Sequence, residues 1–353
     1  DSATYTVKVV SDSGNKYRFN NFGTSAVTLD LAEGGTYTFD GSDSSMSGHP
    51  FVIGTAANGS VYSTGVTYQL DGASVTYSAY TSGYSSATTR KLIITVPASA
   101  PQLYYWCSIH SGMGGAINTN TTLGSSNFDG SIQSTVKANT TAGFSIITYT
   151  GNGSNGSSVG HGLGVTPDAV IIKRRDSTGN WIFESPHTYN GRGMYLNFNN
   201  GSDSAGTDTT SRSSTLVTFD NSSDSNRRVN HSGDTYVMYC FSNVASYSKI
   251  GKYSGNGSTD GAFEYTGFRP AWMLIKRTDS NGNWFILDNK RDTFNEVTKD
   301  LYPNTNGTET DNPNFLDFLS NGFKLRTVGT SVNAGTMIYI AFAESPLKNS
   351  RAR

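Results

Sequence analysis

The feature that most constrains the fold of this 353-residue chain is an internal duplication in its C-terminal two thirds. Residues 149–154 match residues 253–258, which lie 104 residues later, and residues 235–241 match residues 336–342, which lie 101 residues later. Self-similarity at a nearly fixed spacing indicates that one supersecondary unit occurs twice. The chain must therefore fold in a way that accommodates two copies of the same pattern.

Each copy contains the pattern of an antiparallel hairpin. An apolar strand is followed by the turn sequence Asp-Ser-x-Gly-Asn and by a second strand that opens with Trp181 or Trp284. Tyr, Phe, Val and Thr favour strands, and runs of helix-forming residues are almost absent. We predict two tandem β-sandwich repeats of about 100 residues each: repeat A, residues 143–248, and repeat B, residues 249–347. The sequence leaves open whether they are separate domains or halves of one larger sandwich.

The first third of the chain also shows strand alternation. Tyr5 and Val7 share one face of the first predicted strand, and turns rich in Gly, Ser and Asn separate the later ones. We predict a β-sandwich over residues 1–119. Residues 120–142 are mostly polar and weakly periodic, which predicts a linker, and residues 348–353 are predicted to be a tail. The whole chain is predicted to be all-β.

Charge and cysteine content exclude several classes of protein. The net charge of −1 gives no general attraction to nucleic acid or to anionic membranes. No run of about 18 apolar residues is present, which predicts no insertion into a membrane. Cys107 and Cys240 lie in different regions and do not suggest a disulfide framework. Cys240 lies within an apolar strand and is predicted to be a core residue.

One group of residues could carry metal chemistry. A strand rich in aromatic residues ends at Cys107, the following loop offers His110 and Met113, and His49 opens a much earlier strand. Two imidazoles, a thiolate and a weak thioether are the ligand set of a copper electron-transfer site. The alternative interpretation is a structural loop without metal, in which Cys107 is a small buried hydrophobic residue.

The order His … Cys-x-x-His-x-x-Met resembles the ligand pattern of cupredoxins, and its short spacing is similar to the amicyanin type of ligand loop. The resemblance covers residues 1–119 and implies a Greek-key β-sandwich. It also implies one copper ion in a type 1 site, with His49, Cys107, His110 and Met113 as the ligands.

The duplicated region resembles repeats in structural proteins of tailed phages that infect marine bacteria. The resemblance rests on residues 148–153, 161–167, 268–277 and 339–344. It implies a virion surface protein, such as a tail fibre, a head fibre or a capsid decoration protein, and hence an extracellular location. The implied partners are other virion proteins and further copies of the chain, which would form a trimer in a fibre. The resemblance brings no catalytic residues.

Several residues of the repeats could contact a glycan on a host surface. Trp181 and Trp284 could stack on sugar rings, although their place at a strand start also fits core packing. A second group could contact an acidic glycan or simply give the hairpin a polar end: Lys173, Arg174, Lys276 and Arg277. Three further histidines lie near Gly, Ser or Asn and are predicted to be turn or surface residues: His161, His187 and His231.

The function expected from these observations is a non-enzymatic virion surface protein that acts in assembly or in host attachment. Two other functions stay open. A secreted type 1 copper protein that carries electrons would use the metal ligands. A bacterial carbohydrate-binding adhesin would use the exposed aromatic residues of the repeats.

Overall fold

The computed structural model describes residues 2–202, 209–219 and 229–345. Within these ranges the secondary structure is nearly all β, as predicted, with one α-helix and two short 3-10 helices. No helix in the described part of the chain is both long and apolar enough to cross a bilayer. The chain divides into two compact units, Asp1–Lys137 and Ala138–Arg353. The predicted tail, residues 348–353, lies outside the described residues.

The first unit contains strands β1 to β12, most of β13, and helix α1. The strands are β1 (Ser2–Ser11), β2 (Asn15–Phe19), β3 (Leu29–Ala32), β4 (Thr36–Asp40), β5 (Phe51–Ala56), β6 (Gly59–Val61), β7 (Val66–Leu70), β8 (Ala73–Val75), β9 (Arg90–Thr95), β10 (Leu103–Cys107), β11 (Gly115–Asn120), β12 (Ser125–Asn127) and β13 (Ser134–Asn139). Helix α1 spans Tyr77–Gly83, and a 3-10 turn spans Ser44–Met46. The hydroxyl of Thr76 caps α1 by accepting a hydrogen bond from the Ala79 amide at 3.2 Å.

Strands β1 to β11 form the two sheets of a β-sandwich. The strand orders are β2-β1-β4-β9-β7-β8 and β3-β11-β10-β5-β6. Aromatic rings join the two sheets across the core. Phe39 of the first sheet stacks on Phe51 of the second at 4.8 Å between ring centroids. Phe19 meets Tyr105 edge-on at 5.0 Å. Aromatic rings from both sheets are therefore a large part of the core of this unit.

The predicted linker differs from the observed structure, because residues 120–137 belong to the first unit. Strands β12 and β13 pair antiparallel there. Three apolar residues of the segment are less than a tenth exposed: Phe128, Ile132 and Val136. The carbonyl of Ser126 accepts a hydrogen bond from the Tyr5 hydroxyl at 2.8 Å. Polar composition alone suggested a linker, whereas three widely spaced apolar side chains anchor the segment.

The second unit contains both repeats. Its strands are β14 (Phe144–Thr150), β15 (Ser158–Gly160), β16 (Ala169–Arg174), β17 (Ile182–Glu184), β18 (Met194–Tyr195), β19 (Thr209–Arg212), β20 (Leu216–Phe219), β21 (Thr235–Phe241), β22 (Ser248–Asn256), β23 (Phe263–Tyr265), β24 (Pro270–Arg277), β25 (Trp284–Asp288), β26 (Val297–Asp300), β27 (Thr310–Leu319), β28 (Gly322–Leu325) and β29 (Ala334–Ala343). A second 3-10 turn spans Tyr189–Gly191.

The two repeats have equivalent sheets. Repeat A contributes the strands β14-β21-β16-β17-β18, in this order, to its larger sheet, and the larger sheet of repeat B runs β22-β29-β24-β25. The smaller sheet runs β15-β20-β19 in repeat A and β23-β28-β27-β26 in repeat B. The predicted hairpins are β16–β17 and β24–β25, and both pair antiparallel. The duplication in sequence is thus a duplication of sandwich architecture.

The repeated Gly-Asn-Gly motif has a structural role in both copies. The amide of Asn152 donates to the side-chain oxygen of Asn230 at 2.9 Å in repeat A. The amide of Asn256 donates to the side-chain oxygen of Asn333 at 3.1 Å in repeat B. Asn230 and Asn333 are both fully buried. A buried amide side chain that fixes the following turn explains why the motif occurs twice.

The larger sheets of the two repeats contribute to one apolar cluster, which we call the inter-repeat cluster. Its buried members are Ala169, Phe183 and Met194 from repeat A, and Ile250, Leu274, Trp284, Ile338 and Ile340 from repeat B. The Trp284 indole N–H donates to the Tyr195 carbonyl at 3.0 Å. The repeats therefore form a single compact unit.

Two single-residue predictions have different outcomes. Cys240 is fully buried, as predicted, and burial raises the pKa of its thiol far above the ordinary value. His161 lies outside the strands, directly after β15, but its side chain is fully buried, so it is not a surface residue. Its Nδ1 accepts a hydrogen bond from the Leu163 amide at 3.2 Å, and its Nε2 lies 3.1 Å from the Ser213 carbonyl.

Candidate metal centre

Strand pairing brings the two distant ligand segments to the same end of the first sandwich. Strand β10 pairs antiparallel with β5, and Cys107 lies opposite Phe51. His49 precedes Phe51 by two residues, so it lies next to the end of β10. The amide of Ser108 donates to the Pro50 carbonyl at 3.1 Å, which extends the pairing into the loop. Ordinary antiparallel register therefore places an imidazole beside the thiol.

Three of the four predicted ligands form a compact group. The ligand atoms of His49, Cys107 and His110 all lie within 4.8 Å of one another. The Cys107 sulfur lies 3.7 Å from Nδ1 of His110. A metal about 2.0 Å from nitrogen and about 2.3 Å from sulfur, at tetrahedral or trigonal angles, sets these two atoms about 3.6 Å apart. The observed separation fits a shared metal ion.

Burial and charge favour the ligand forms that bind a metal. Nδ1 of His49 is buried and has no hydrogen-bond partner. Burial of His49, and then the positive charge of His110, hold the pKa of the His49 imidazole below its ordinary value. A neutral imidazole with a free nitrogen is the form that coordinates. Cys107 is 2% exposed and is a free thiol. The donor set therefore fits copper, which takes thiolate and imidazole ligands.

Met113 lies in the same hydrophobic core cluster as Cys107 and is 1% exposed. The loop that carries it is tied at two points. The Gly112 amide donates to the side-chain oxygen of Asn58 at 3.0 Å, and the Lys16 ammonium donates to the Gly112 carbonyl. The thioether is thus held on the buried side of the loop.

His110 differs from the other candidate ligands because its side chain is exposed. His49 is half-buried, and its ring centroid lies 4.7 Å from that of His110. Ile109, directly before His110, is 60% exposed. The group therefore lies just below the surface, with one imidazole at the solvent boundary. Among the described residues, it is the one group of three such side chains close enough to share a metal ion.

The two tryptophans of the repeated hairpins have different environments. Trp181 is 38% exposed, whereas Trp284 is 1% exposed and belongs to the inter-repeat cluster. The prediction that Trp284 binds a ligand is wrong, because its ring packs edge-on against Phe183 at 5.3 Å. Trp181 remains accessible. The two tryptophans share a sequence motif, but only Trp284 packs in the inter-repeat cluster, and this packing explains why only Trp284 is buried.

The basic residues also separate into two classes. Lys276 is fully buried, and its ammonium donates to the Asn199 carbonyl at 3.2 Å and to the Arg277 carbonyl at 2.7 Å. The prediction that Lys276 contacts a glycan is therefore wrong. Arg277 and Arg174 are half-buried, and each pairs with the Asp two residues later, at 2.7 Å and 2.6 Å. Lys173 is also half-buried, and its ammonium donates to the Arg174 carbonyl.

One residue near the metal ligands was missed by sequence reasoning. Tyr17 lies on β2, a strand that was not predicted, and its hydroxyl donates to the His49 carbonyl at 2.9 Å. The alternation of polar and aromatic residues over Asn15–Phe19 is the signal that could have identified the strand. The contact with His49 could not be inferred, because it depends on how the two sheets face each other.

Comparison with known families gives one match. Residues 118–346 match the model of a family described as a domain of unknown function, DUF7483. No curated protein sequence matches the chain. The candidate metal ligands all precede residue 118, so they lie outside the matched segment. The family's description names no activity, substrate or partner, and the function must be argued from the residues themselves.

Proposed function

Because this chain belongs to the DUF7483 family, whose description gives no function, we propose from its own residues that it is a non-enzymatic virion surface protein whose first unit binds one copper ion. The observation that carries the copper assignment is the grouping of His49, Cys107 and His110. The virion assignment is supported by the resemblance of the duplicated region to phage structural proteins. The two parts of the proposal need separate experiments.

The candidate ligands of the first unit would hold the metal from different sides. Cys107 and His49 would bind it from the buried side, and His110 would close the site at the surface. Met113 lies in the same core and would supply a weak thioether ligand. A copper ion bound in this way supplies a one-electron Cu(II)/Cu(I) couple. The buried core around the thiolate keeps water away from the sulfur.

Copper addition is expected to give an intense blue colour that depends on Cys107. The colour of such a site arises from the bond between the thiolate and Cu(II), so Cys107→Ser should lose it completely. Binding of copper should also weaken, because a soft thiolate ligand is replaced by a hydroxyl. Visible absorption and copper content after gel filtration measure both effects.

The second cysteine offers a matched control for this prediction. Cys240 is equally free and buried but lies in the second unit. Cys240→Ser should keep the colour and the copper content of the unmodified protein. Loss of colour in both variants, or a colourless protein before any substitution, would contradict the copper assignment.

The architecture of the repeats supports a structural role on a particle. Each repeat is a sandwich whose strands are joined by turns rich in Gly, Asn and Ser. Rigid sheets hold such loops at a surface, where they are free to contact other proteins. The described part of repeat A offers Trp181 as an accessible aromatic residue, with the ion-paired Arg174 earlier in the same hairpin. Arg277 is the ion-paired counterpart of Arg174 in repeat B.

Particles of the source virus are expected to contain this protein in a fixed copy number. Purified virions can be separated by density gradient and the chain quantified by mass spectrometry against the major capsid protein. A constant ratio across independent preparations would support the proposal. Intact particles that lack the chain would contradict it.

Electron transfer by a secreted copper protein is the second candidate, and the exposure of His110 favours it. An exposed imidazole next to a buried thiolate gives a short route from a metal to the surface. The two candidates make opposite statements about location. Reversible reduction of the copper form, together with absence from purified particles, would support electron transfer instead.

A carbohydrate-binding adhesin keeps less support, because burial removes Trp284 and Lys276 from its binding surface. Trp181 is the remaining tryptophan of the two that a sugar could reach. Saturable binding to a glycan array that fails in Trp181→Ala would favour this function.

A further inference from the structure

The candidate metal ligands come from two segments that have to keep a fixed distance. His49 lies in the segment before β5, and the other three ligands lie at the end of β10 and in the loop that follows. A metal site of this kind depends on neighbouring groups that orient the ligands as well as on the ligands themselves. The structure therefore has to contain residues that tie one segment to the other.

Tyr17 makes hydrogen bonds to both segments. Its hydroxyl donates to the backbone carbonyl of His49 at 2.9 Å. Its backbone amide donates to the carbonyl of Met113, also at 2.9 Å. Its ring is fully buried and packs edge-on against Phe51 at 5.3 Å. One residue of β2 thus contacts the main chain at a ligand in each segment.

The segment around His49 has few other ties. Pro50 follows His49 directly and has no backbone N–H to donate. The His49 amide donates to the Met46 carbonyl at 2.9 Å, and the Pro50 carbonyl accepts from Ser108 at 3.1 Å. Among these contacts, the Tyr17 hydroxyl is the side-chain donor that acts on His49 itself.

The Tyr17 hydroxyl bonds to the main chain at His49 and leaves the imidazole free. A donor of this kind can fix the position of a backbone segment without taking part in metal binding.

We propose that Tyr17 is a positioning residue for the metal centre, which it serves by holding His49 and the Met113 loop in register. This inference rests on the proposed copper function, because its purpose is to orient the copper ligands. Residues that orient metal ligands commonly change metal affinity by about 10-fold to 100-fold when they are replaced. Tyr17 would act through His49 and would not bind the metal.

The test compares Tyr17→Phe with Tyr105→Phe in the full chain. Tyr105 is 1% exposed in the same core, and its hydroxyl donates to the Val27 carbonyl at 2.6 Å instead of to a segment that carries a ligand. Both substitutions remove one buried hydroxyl that bonds to a backbone carbonyl. Copper affinity is measured by titration of Cu(I) against a competing chelator, and the Cu(II) form is compared by visible and electron paramagnetic resonance spectra.

Tyr17→Phe is expected to weaken copper binding about 10-fold and to shift the Cu(II) spectra, whereas Tyr105→Phe should leave both unchanged. Equal effects from the two variants, or no effect from Tyr17→Phe, would overturn the inference. If Tyr17 only stabilised the fold, the two variants would have the same Cu(II) spectra, because each loses one hydrogen bond to a backbone carbonyl.

A measurement without metal separates this inference from the copper assignment. Hydrogen exchange of the metal-free protein reports how firmly the His49 amide is held. Exchange at His49 should be faster in Tyr17→Phe than in Tyr105→Phe. If the unmodified protein failed to bind copper, the copper assignment would be wrong, and equal exchange in the two variants would show separately that Tyr17 does not fix His49.

Discussion

Replacing Trp284 with alanine is expected to lower the free energy of unfolding by about 4 kcal/mol. The indole is 1% exposed, packs against Phe183 from the other repeat and donates a hydrogen bond to the Tyr195 carbonyl. The substitution leaves a large cavity in the inter-repeat cluster and an unpaired carbonyl. Urea denaturation of the full chain, followed by circular dichroism, measures the effect.

Trp181→Ala is the matched control, because Trp181 holds the same position in the hairpin of repeat A. Its side chain is 38% exposed. The expected loss is about 1 kcal/mol or less, since substitutions at the surface remove little packing. Similar losses for the two variants would show that the inter-repeat cluster does not depend on Trp284 in the way the structure indicates.

Replacing Lys276 with methionine is expected to change how stability depends on pH. Burial, and then the charge of Arg277, lower the pKa of Lys276 from 10.5 to about 8. In this range the unfolded chain holds a proton that the folded chain has released, so the lysine adds stability as pH rises from 8 to 10.5. This stabilisation by Lys276 is lost as pH falls back through 8. The Lys276→Met variant lacks it at every pH.

The difference in unfolding free energy between the unmodified protein and Lys276→Met should therefore grow by about 3 kcal/mol from pH 8 to pH 10.5. Denaturation curves at closely spaced pH values measure this difference. Lys173→Met is the matched control, since it makes the same change at the half-buried counterpart in repeat A. A profile equally steep for both variants would contradict burial as the cause.

Sequence reasoning identified the elements whose signal is local. The hairpins of the repeats follow from an apolar strand, a Gly-Asn turn and a second strand, and they occur as β16–β17 and β24–β25. The ligand loop after β10 was visible because Cys107, His110 and Met113 lie within seven residues. Strand alternation and short spacing are properties of consecutive residues, so a sequence records them directly.

The features that were missed depend on distant partners. Trp181 and Trp284 follow the same local sequence, yet only Trp284 meets the other repeat. Lys276 looks like a surface residue in sequence, but the loop that contains Asn199 covers its ammonium. No local pattern distinguishes these environments, since each is set by a segment more than 70 residues away.

The same reason applies to the first unit. Residues 120–137 have the composition of a linker, and only the fold shows that Phe128 reaches the aromatic core. Tyr17 likewise gained significance from its contact with His49, which lies 32 residues later. The ligands could be proposed from residue types and spacing, whereas the group that orients them required the packing of two sheets.

The inter-repeat cluster has a consequence for the origin of the duplication. Each repeat contributes an apolar sheet face that the other repeat covers, so a single repeat produced alone would leave that face open to water. An exposed apolar face of this kind tends to associate with another protein surface, and a second copy of the same repeat could cover it. The second unit is therefore organised like a dimer whose subunits have been fused into one polypeptide. Two copies within one polypeptide need not be symmetric, so Trp284 can be buried while Trp181 stays accessible.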